Sequence, residues 1–352
     1  MAFELGTTLG DYHLIDVLDS NREGTSYKVR NVSEQRFEIL RVLSESTQSD
    51  PVRLERFQRE AKILARLNHP HIVSYRSSTK LGGRYVLATE LVECTNLAER
   101  LEVGPLSLPD AVKFIWQALD ALECAHQGGV VHRDIHPGKL LITAESELKL
   151  SGFSLARSTA DPRLTQAGVA IGSAHYMSPE QVQATGDLDA RSDLYSLGVV
   201  FYELTAGRKP FEFDSQFDLM LAHVETAPEP PSKWNSQIPP ELDAIILKSL
   251  AKNLSERFQS AGEFRNALLS ISLGGIPEPA EDIEKALSEM KRRGREWNRQ
   301  ANALSAEILV HQGESLPRPP MPSTLYGMPR LLVIALMTIG AIGLFFLTNG
   351  LK

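Results

Sequence analysis

Cysteine is scarce in this chain: Cys94 and Cys124 are the only two among 352 residues, and they form no C-x-x-C pair. That argues against a disulfide framework or a zinc site, and a reducing compartment fits. Positive charge is also short. With 37 Lys and Arg against 44 Asp and Glu, the formal net charge is -7, so no nucleic-acid partner is expected. The opening stretch M-A-F-E-L-G-T-T-L-G-D has neither a basic n-region nor an apolar h-region, and no cleaved signal peptide is expected from it. No internal repeat occurs. Hydrophobic residues make up 42% of the chain, ample for a buried core in two average domains or one large one.

Periodicity divides the chain. Residues 9–92 read mostly as strands, in L-G-D-Y-H-L-I-D-V-L, T-S-Y-K-V-R-N, F-E-I-L-R-V-L and R-Y-V-L-A-T-E-L. One helix interrupts them, from about Asp50 to Leu67, with Leu54, Phe57, Ala61, Ile63, Leu64 and Leu67 near helical spacing. Residues 93–271 read as largely helical. The clearest case is Pro109 to Gln127, where Val112, Ile115, Trp116, Leu119 and Leu122 form an apolar face. Residues 272–280, S-L-G-G-I-P-E-P-A, have the Gly and Pro content of a linker. A polar helix over 281–310, a Pro-rich spacer over 311–330 and an apolar stretch over 331–348 follow.

From Leu331 to Leu351 no residue is charged. Eighteen helical residues span roughly 27 Å at ~1.5 Å each, close to the ~30 Å hydrocarbon core, so residues 331–348 are expected to cross a membrane once. Arg330 and, further back, Lys291, Arg292, Arg293, Arg295 and Arg299 put positive charge on the N-terminal side, which the positive-inside rule assigns to the cytoplasm. In the polar helix Ile283, Leu287, Met290, Gly294, Trp297, Ala301, Leu304 and Ile308 alternate spacings of four and three, a heptad seam. The seam predicts either self-association through 283–308 or docking onto the preceding domain. The basic cluster at 291–299 suits either an anionic membrane surface or plain solvation.

The segment V-H-R-D-I-H-P-G-K-L-L-I at 131–142 resembles the catalytic loop of protein kinases, H-R-D-x-K-P-x-N followed by apolar residues. Other landmarks follow in the family's order. Glu60 in R-E-A-K-I-L matches the glutamate of the small-lobe helix, and S-A-H-Y-M-S-P-E at 173–180 resembles the A-P-E segment. Asp193 in A-R-S-D-L-Y-S-L-G matches the family's buried aspartate, and Arg257 in E-R-F-Q-S-A matches the arginine that pairs with the A-P-E glutamate, here Glu180. The resemblance covers about residues 9–271 and is nearest to bacterial Ser/Thr kinases with a transmembrane segment. It implies an α+β, two-lobed protein kinase fold: a β-rich N-lobe over 9–92 and a helical C-lobe over 93–271. The juxtamembrane helix and one transmembrane helix add to it.

Audited against that family, the nucleotide site is altered. Kinase chemistry is mostly positioning and charge neutralisation of Mg-ATP. The Gly-rich loop falls on D-S-N-R-E-G at 19–24, where only Gly24 remains and Asp19 and Glu23 add negative charge. The strand lysine is Arg41, which keeps the charge in a bulkier planar form and is expected to pair with Glu60. The metal-binding aspartate of D-F-G is Gly152, and the asparagine that binds a second metal is Lys139, a cation with no acceptor atom. His136 replaces the lysine that follows the catalytic aspartate. Glu90 and Val92 complete the pocket that the resemblance implies. Asp134, at the base position, is intact, and its expected role is to accept from neighbouring backbone or Lys139. His132 is structural by the same resemblance, so no metal site is read into the His132–His136 spacing. Arg133 in active relatives pairs with a phosphorylated residue, for which Thr165 is the candidate.

The sequence therefore predicts a membrane-anchored, kinase-fold signalling protein with its kinase-like domain in the cytoplasm, acting as a pseudokinase through protein partners. No cofactor is expected, and any ATP is expected to bind weakly and without Mg²⁺. An active ATP-dependent Ser/Thr kinase and a metal-independent nucleotide sensor are the alternatives.

Overall fold

A computed structural model describes residues 3–158, 174–185, 188–269 and 271. All of these belong to one unit, Met1–Arg299. Thr165, the linker at 272–280, the heptad helix, the spacer and the apolar stretch at 331–348 lie outside the described residues. Among the described residues no helix is long and apolar enough to cross a membrane.

The small lobe is one antiparallel sheet of β1 (Thr8–Leu9), β2 (Tyr12–Ser20), β3 (Gly24–Asn31), β4 (Arg36–Leu43), β5 (Tyr75–Leu81) and β6 (Arg84–Glu90), in the order β1-β2-β3-β4-β6-β5. β4 sits centrally, and its alternation sends Leu40 and Val42 into a small core with Leu14, Tyr27, Val29 and Val86. A short helix, α1 (Glu45–Gln48), precedes α2 (Pro51–Leu64). Asp50 starts α2: its carboxylate accepts from the N–H groups of Val52 and Arg53, and Pro51 occupies the first turn, where it displaces no intrahelical donor. The apolar spacing then carries Phe57, Ala61, Ile63 and Leu64 inward, with Glu60 on the same face. Its end falls at Leu64, three residues before the expected Leu67.

The large lobe opens with β7 (Cys94–Asn96) and α3 (Leu97–Val103), then α4 (Leu108–Gln127), capped by Ser107. β8 (Val130–Val131), β9 (Leu140–Thr143) and β10 (Leu148–Leu150) carry the segments around the cleft, and β11 (Arg157–Ser158) pairs with β8. Beneath them lie α5 (Pro179–Val182), α6 (Ala190–Ala206), α7 (Gln216–Glu225), α8 (Pro240–Ser249) and α9 (Ala261–Leu269). α6 is buried along nearly its whole length, from Ser192 to Thr205, which makes it the central post against which the other helices pack. The largest apolar cluster runs from Phe57 and Leu64 of α2 through α4 and α6 to Phe264 of α9.

The candidate nucleotide cleft

A cavity of about 350 Å³ lies beneath the β2–β3 turn, lined among others by Asp19, Glu23, Gly24, Arg41, Glu60 and Lys139. The turn is tied up with itself. Asn21 N donates to the Gly24 carbonyl at 2.9 Å, and Asn21 Oδ1 accepts from the N–H groups of Glu23, at 2.9 Å, and Gly24, at 3.3 Å. Ser44 and Thr47 then hold the outer side of the turn: Ser44 N donates to the Glu23 carbonyl at 2.9 Å, while the Ser44 and Thr47 hydroxyls donate to the Arg22 carbonyl. Two amides that could face an anion are thereby satisfied by a side chain. Gly24 has a packing reason to be glycine. A Cβ there would stand 2.1 Å from the Val42 carbonyl oxygen, because β3 runs tightly against β4.

On the floor of the cavity Arg41 of β4 pairs with Glu60 of α2, as the resemblance implied. Glu60 is buried, and the Arg41 guanidinium also stacks 5.0 Å from the Phe57 ring centre. The pair clamps α2 against the sheet, and it engages Arg41 internally. Glu90 and Val92 do not line this cavity. The Glu90 carboxylate instead accepts from Lys149 Nζ at 2.8 Å and from Ser74 N at 2.9 Å.

Opposite Arg41, the loop between β8 and β9 presents Asp134, His136 and Lys139. Asp134 Oδ2 lies 3.6 Å from Lys139 Nζ and 3.9 Å from His136 Nε2. Of the two acceptor roles expected of Asp134, the geometry favours Lys139: among the described residues no backbone N–H donates to its carboxylate. Burial holds the His136 imidazole below its ordinary pKa, with Lys139 adding to the effect of burial against the pull of Asp134. Gly152, just after β10, sits in the left-handed region at φ +81°. A Cβ at that position would lie 2.5 Å from Lys139 Cδ and 3.1 Å from Lys139 Nζ, so the lysine side chain runs directly over the glycine.

Behind the cleft the loop is anchored to α6. Asp193 accepts from the N–H groups of His132 at 2.8 Å and Arg133 at 2.7 Å, and His126 Nε2 stands 2.9 Å away. Burial would raise the Asp193 carboxyl, but the hydrogen bond and charge of His126 hold it below the usual range. Those bonds secure Arg133 at φ +68°, a conformation uncommon outside glycine. His132 is fully buried, with Nε2 3.0 Å from the Ser151 carbonyl and its ring edge-on to Phe153 at 4.7 Å. Arg133 Nε is buried without an acceptor among the described residues. Below, Arg257 binds Glu180 two-pronged, Nη1–Oε1 at 2.8 Å and Nη2–Oε2 at 2.9 Å, and the Ser192 hydroxyl donates to Oε1 at 2.7 Å.

Residues 12–267 match the protein kinase domain family. The chain belongs to that family. Serine/threonine-protein kinase PknB of Mycobacterium leprae is 38% identical over 274 residues, which is 76% of this chain and 44% of PknB. Serine/threonine-protein kinase PknD of Mycobacterium tuberculosis is 36% identical over 263 residues, 74% of this chain and 39% of PknD. The chain thus spans less than half the length of these curated relatives. The crystal structure of the Mycobacterium tuberculosis PknI kinase domain superposes with a TM-score of 0.59 at 26% identity, covering 76% of this chain and 99% of that one. The family is therefore that of bacterial Ser/Thr kinases related to PknB and PknD. A kinase holds its two Mg²⁺ ions through the D-F-G aspartate and the catalytic-loop asparagine. The residues present do not fit such ions, since Gly152 brings no ligand and Lys139 brings a cation.

His126 and Ser192, which complete the two buried networks, were not singled out by the sequence. Neither carries a motif signal of its own; each matters only through a partner far along the chain.

Proposed function

We propose that this kinase-family chain is a pseudokinase: a signalling module that works through protein contacts, as scaffold or allosteric regulator, rather than by transferring phosphate. The observation that carries this reading is the lysine side chain lying across Gly152, at the two positions where a kinase holds metal. Metal ions align and neutralise the transferring phosphate, and a single ammonium point charge does not fix in-line geometry. Asp134 alone does not rebuild that unit, and effects within such a unit are not additive. The test is incorporation of labelled phosphate by purified full-length protein with Mg²⁺ and a generic Ser/Thr substrate. None is expected, from the wild type or from Gly152→Asp alone. Robust autophosphorylation that disappears in Asp134→Asn would establish the active-kinase alternative. Nucleotide binding indifferent to chelator would instead favour a metal-independent sensor, a reading weakened by the internal pairing of Arg41 with Glu60.

The same proposal places the module at a membrane, through residues 331–348, and pairs it with itself through 283–308. Full-length protein is expected to resist carbonate extraction from membranes and to become soluble when truncated before Leu331; recovery of the intact chain as soluble protein refutes the anchor. A fragment of residues 275–312 is expected to self-associate in analytical ultracentrifugation and to lose this on Leu287→Asp; a monomer favours docking on the lobe.

A further inference from the structure

Asp134 keeps a carboxylate in a confined place: its side chain is only 10% exposed, and among the described residues no hydrogen bond reaches either oxygen. A buried carboxylate needs a compensating charge. Two basic side chains approach it, Lys139 at 3.6 Å and His136 at 3.9 Å. The histidine is a poor counter-charge at neutral pH because burial favours its neutral form. Lys139 is therefore the standing counter-ion. It reaches Asp134 by laying its stem over Gly152, with the position of a Cβ there 2.5 Å from Cδ, 2.9 Å from Cε and 3.1 Å from Nζ. Any side chain at 152 would have to displace the lysine, and its backbone at φ +81° further favours glycine.

The geometry points to Lys139 as the resident cation of the cleft, a tethered ammonium that substitutes for a divalent ion and makes Gly152 its steric partner. The two departures from the kinase pattern are thus one coupled change. A metal ion and the ammonium compete for the same place and repel each other, so the site resists metal. The Asp134 loop and the 151–153 segment, joined by the hydrogen bonds of Ser151 N and Oγ to the Lys139 carbonyl at 2.9 and 3.0 Å, then hold their arrangement without Mg²⁺ or nucleotide. This rests on the pseudokinase reading and adds its regulation: the module's conformation is set independently of metal and nucleotide levels.

The experiment is thermal unfolding of the full-length chain in detergent, with EDTA or MgCl₂. The wild type is expected to melt at the same temperature in both. Lys139→Ala is expected to melt several degrees lower, and added ethylammonium, which resembles the deleted end of the side chain, to restore part of the loss where equal sodium does not. Should Lys139→Ala fail to fold, Gly152→Ala gives the second reading. Its added methyl displaces the ammonium, so its Tm drop is expected to shrink when combined with Lys139→Asn, whereas backbone strain alone would persist in both backgrounds. The double variant Gly152→Asp, Lys139→Asn is expected to gain a Tm response to Mg²⁺ that neither single variant has. A wild-type Tm that rises with Mg²⁺, or a Gly152→Ala penalty unchanged by Lys139→Asn, overturns the proposal. Phosphate incorporation is scored separately, so an inactive protein with a metal-responsive Tm would defeat this inference and leave the pseudokinase reading standing.

Discussion

In the large lobe, Asp193 gathers two backbone N–H groups and His126, and Glu180 is gripped by a fully buried Arg257 and by Ser192. Among the charged positions of the cleft, Asp134 and Glu60 keep the family's residue type, while Arg41 and Lys139 do not and Gly152 brings no charge at all. The difference follows from what each region has to satisfy. The buried networks stabilise the fold whether or not a nucleotide ever binds, because removing one partner strands a charge in the core. Cleft residues whose ordinary partners are phosphate and metal carry no such penalty, and they are free to change provided their own charges are compensated. The two charged cleft residues that keep their type fit this rule: Glu60 holds Arg41, and Asp134 is held by Lys139.

The comparison breaks most sharply at Arg257. Arg257→Ala leaves Glu180 buried without its partner and is expected to cost about 3–5 kcal/mol, read as a lowered denaturant midpoint at unchanged slope. A loss under about 1 kcal/mol would show that the large-lobe network is dispensable.

His223, at the end of α7, sharpens it next. It is fully buried, with Nδ1 3.0 Å from the Tyr195 hydroxyl and Nε2 unpartnered among the described residues, and burial followed by the Lys252 charge pushes its pKa down to about 3. The folded pKa is lowered, so the unfolded chain binds more protons between about 6.5 and about 3. The stability that the neutral ring contributes is complete above about pH 6.5 and is lost as pH falls toward about 3, at up to about 1.4 kcal/mol per pH unit. His223→Gln is expected to flatten that slope in denaturant titrations across pH 7 to 5; an unchanged slope assigns the acid sensitivity elsewhere.

The smallest effect is expected at the cleft's one retained loop glycine. Gly24→Ala forces the strand away from the Val42 carbonyl and is expected to cost about 1–3 kcal/mol, a typical overpacking loss. Thermal unfolding checks it. A neutral outcome would mean that β3 relaxes freely, and that Gly24 is not held by packing.

Much of this was legible in the sequence. The apolar spacing of α2 and α4 is a local signal, and the ordered series from Glu60 to Arg257 carried the fold. β5 was missed because Y-R-S-S-T-K-L is mostly polar and joins the sheet as an edge beside β6, where exposed faces need no apolar alternation. The expected pairings of Arg41 with Glu60 and of Arg257 with Glu180 are present, while Glu90 turned to Lys149 and Ser74 rather than to the cavity.

By itself the sequence determined the family pattern and which of its chemical groups were replaced, since residue identity fixes charge, ligand atoms and hydrogen-bonding capacity. Only the tertiary structure decided what the replacements do. The closeness of Gly24 to Val42 and the passage of Lys139 over Gly152 join residues on different strands and loops. Such contacts depend on distances of a few ångströms set by packing, and linear order does not encode them.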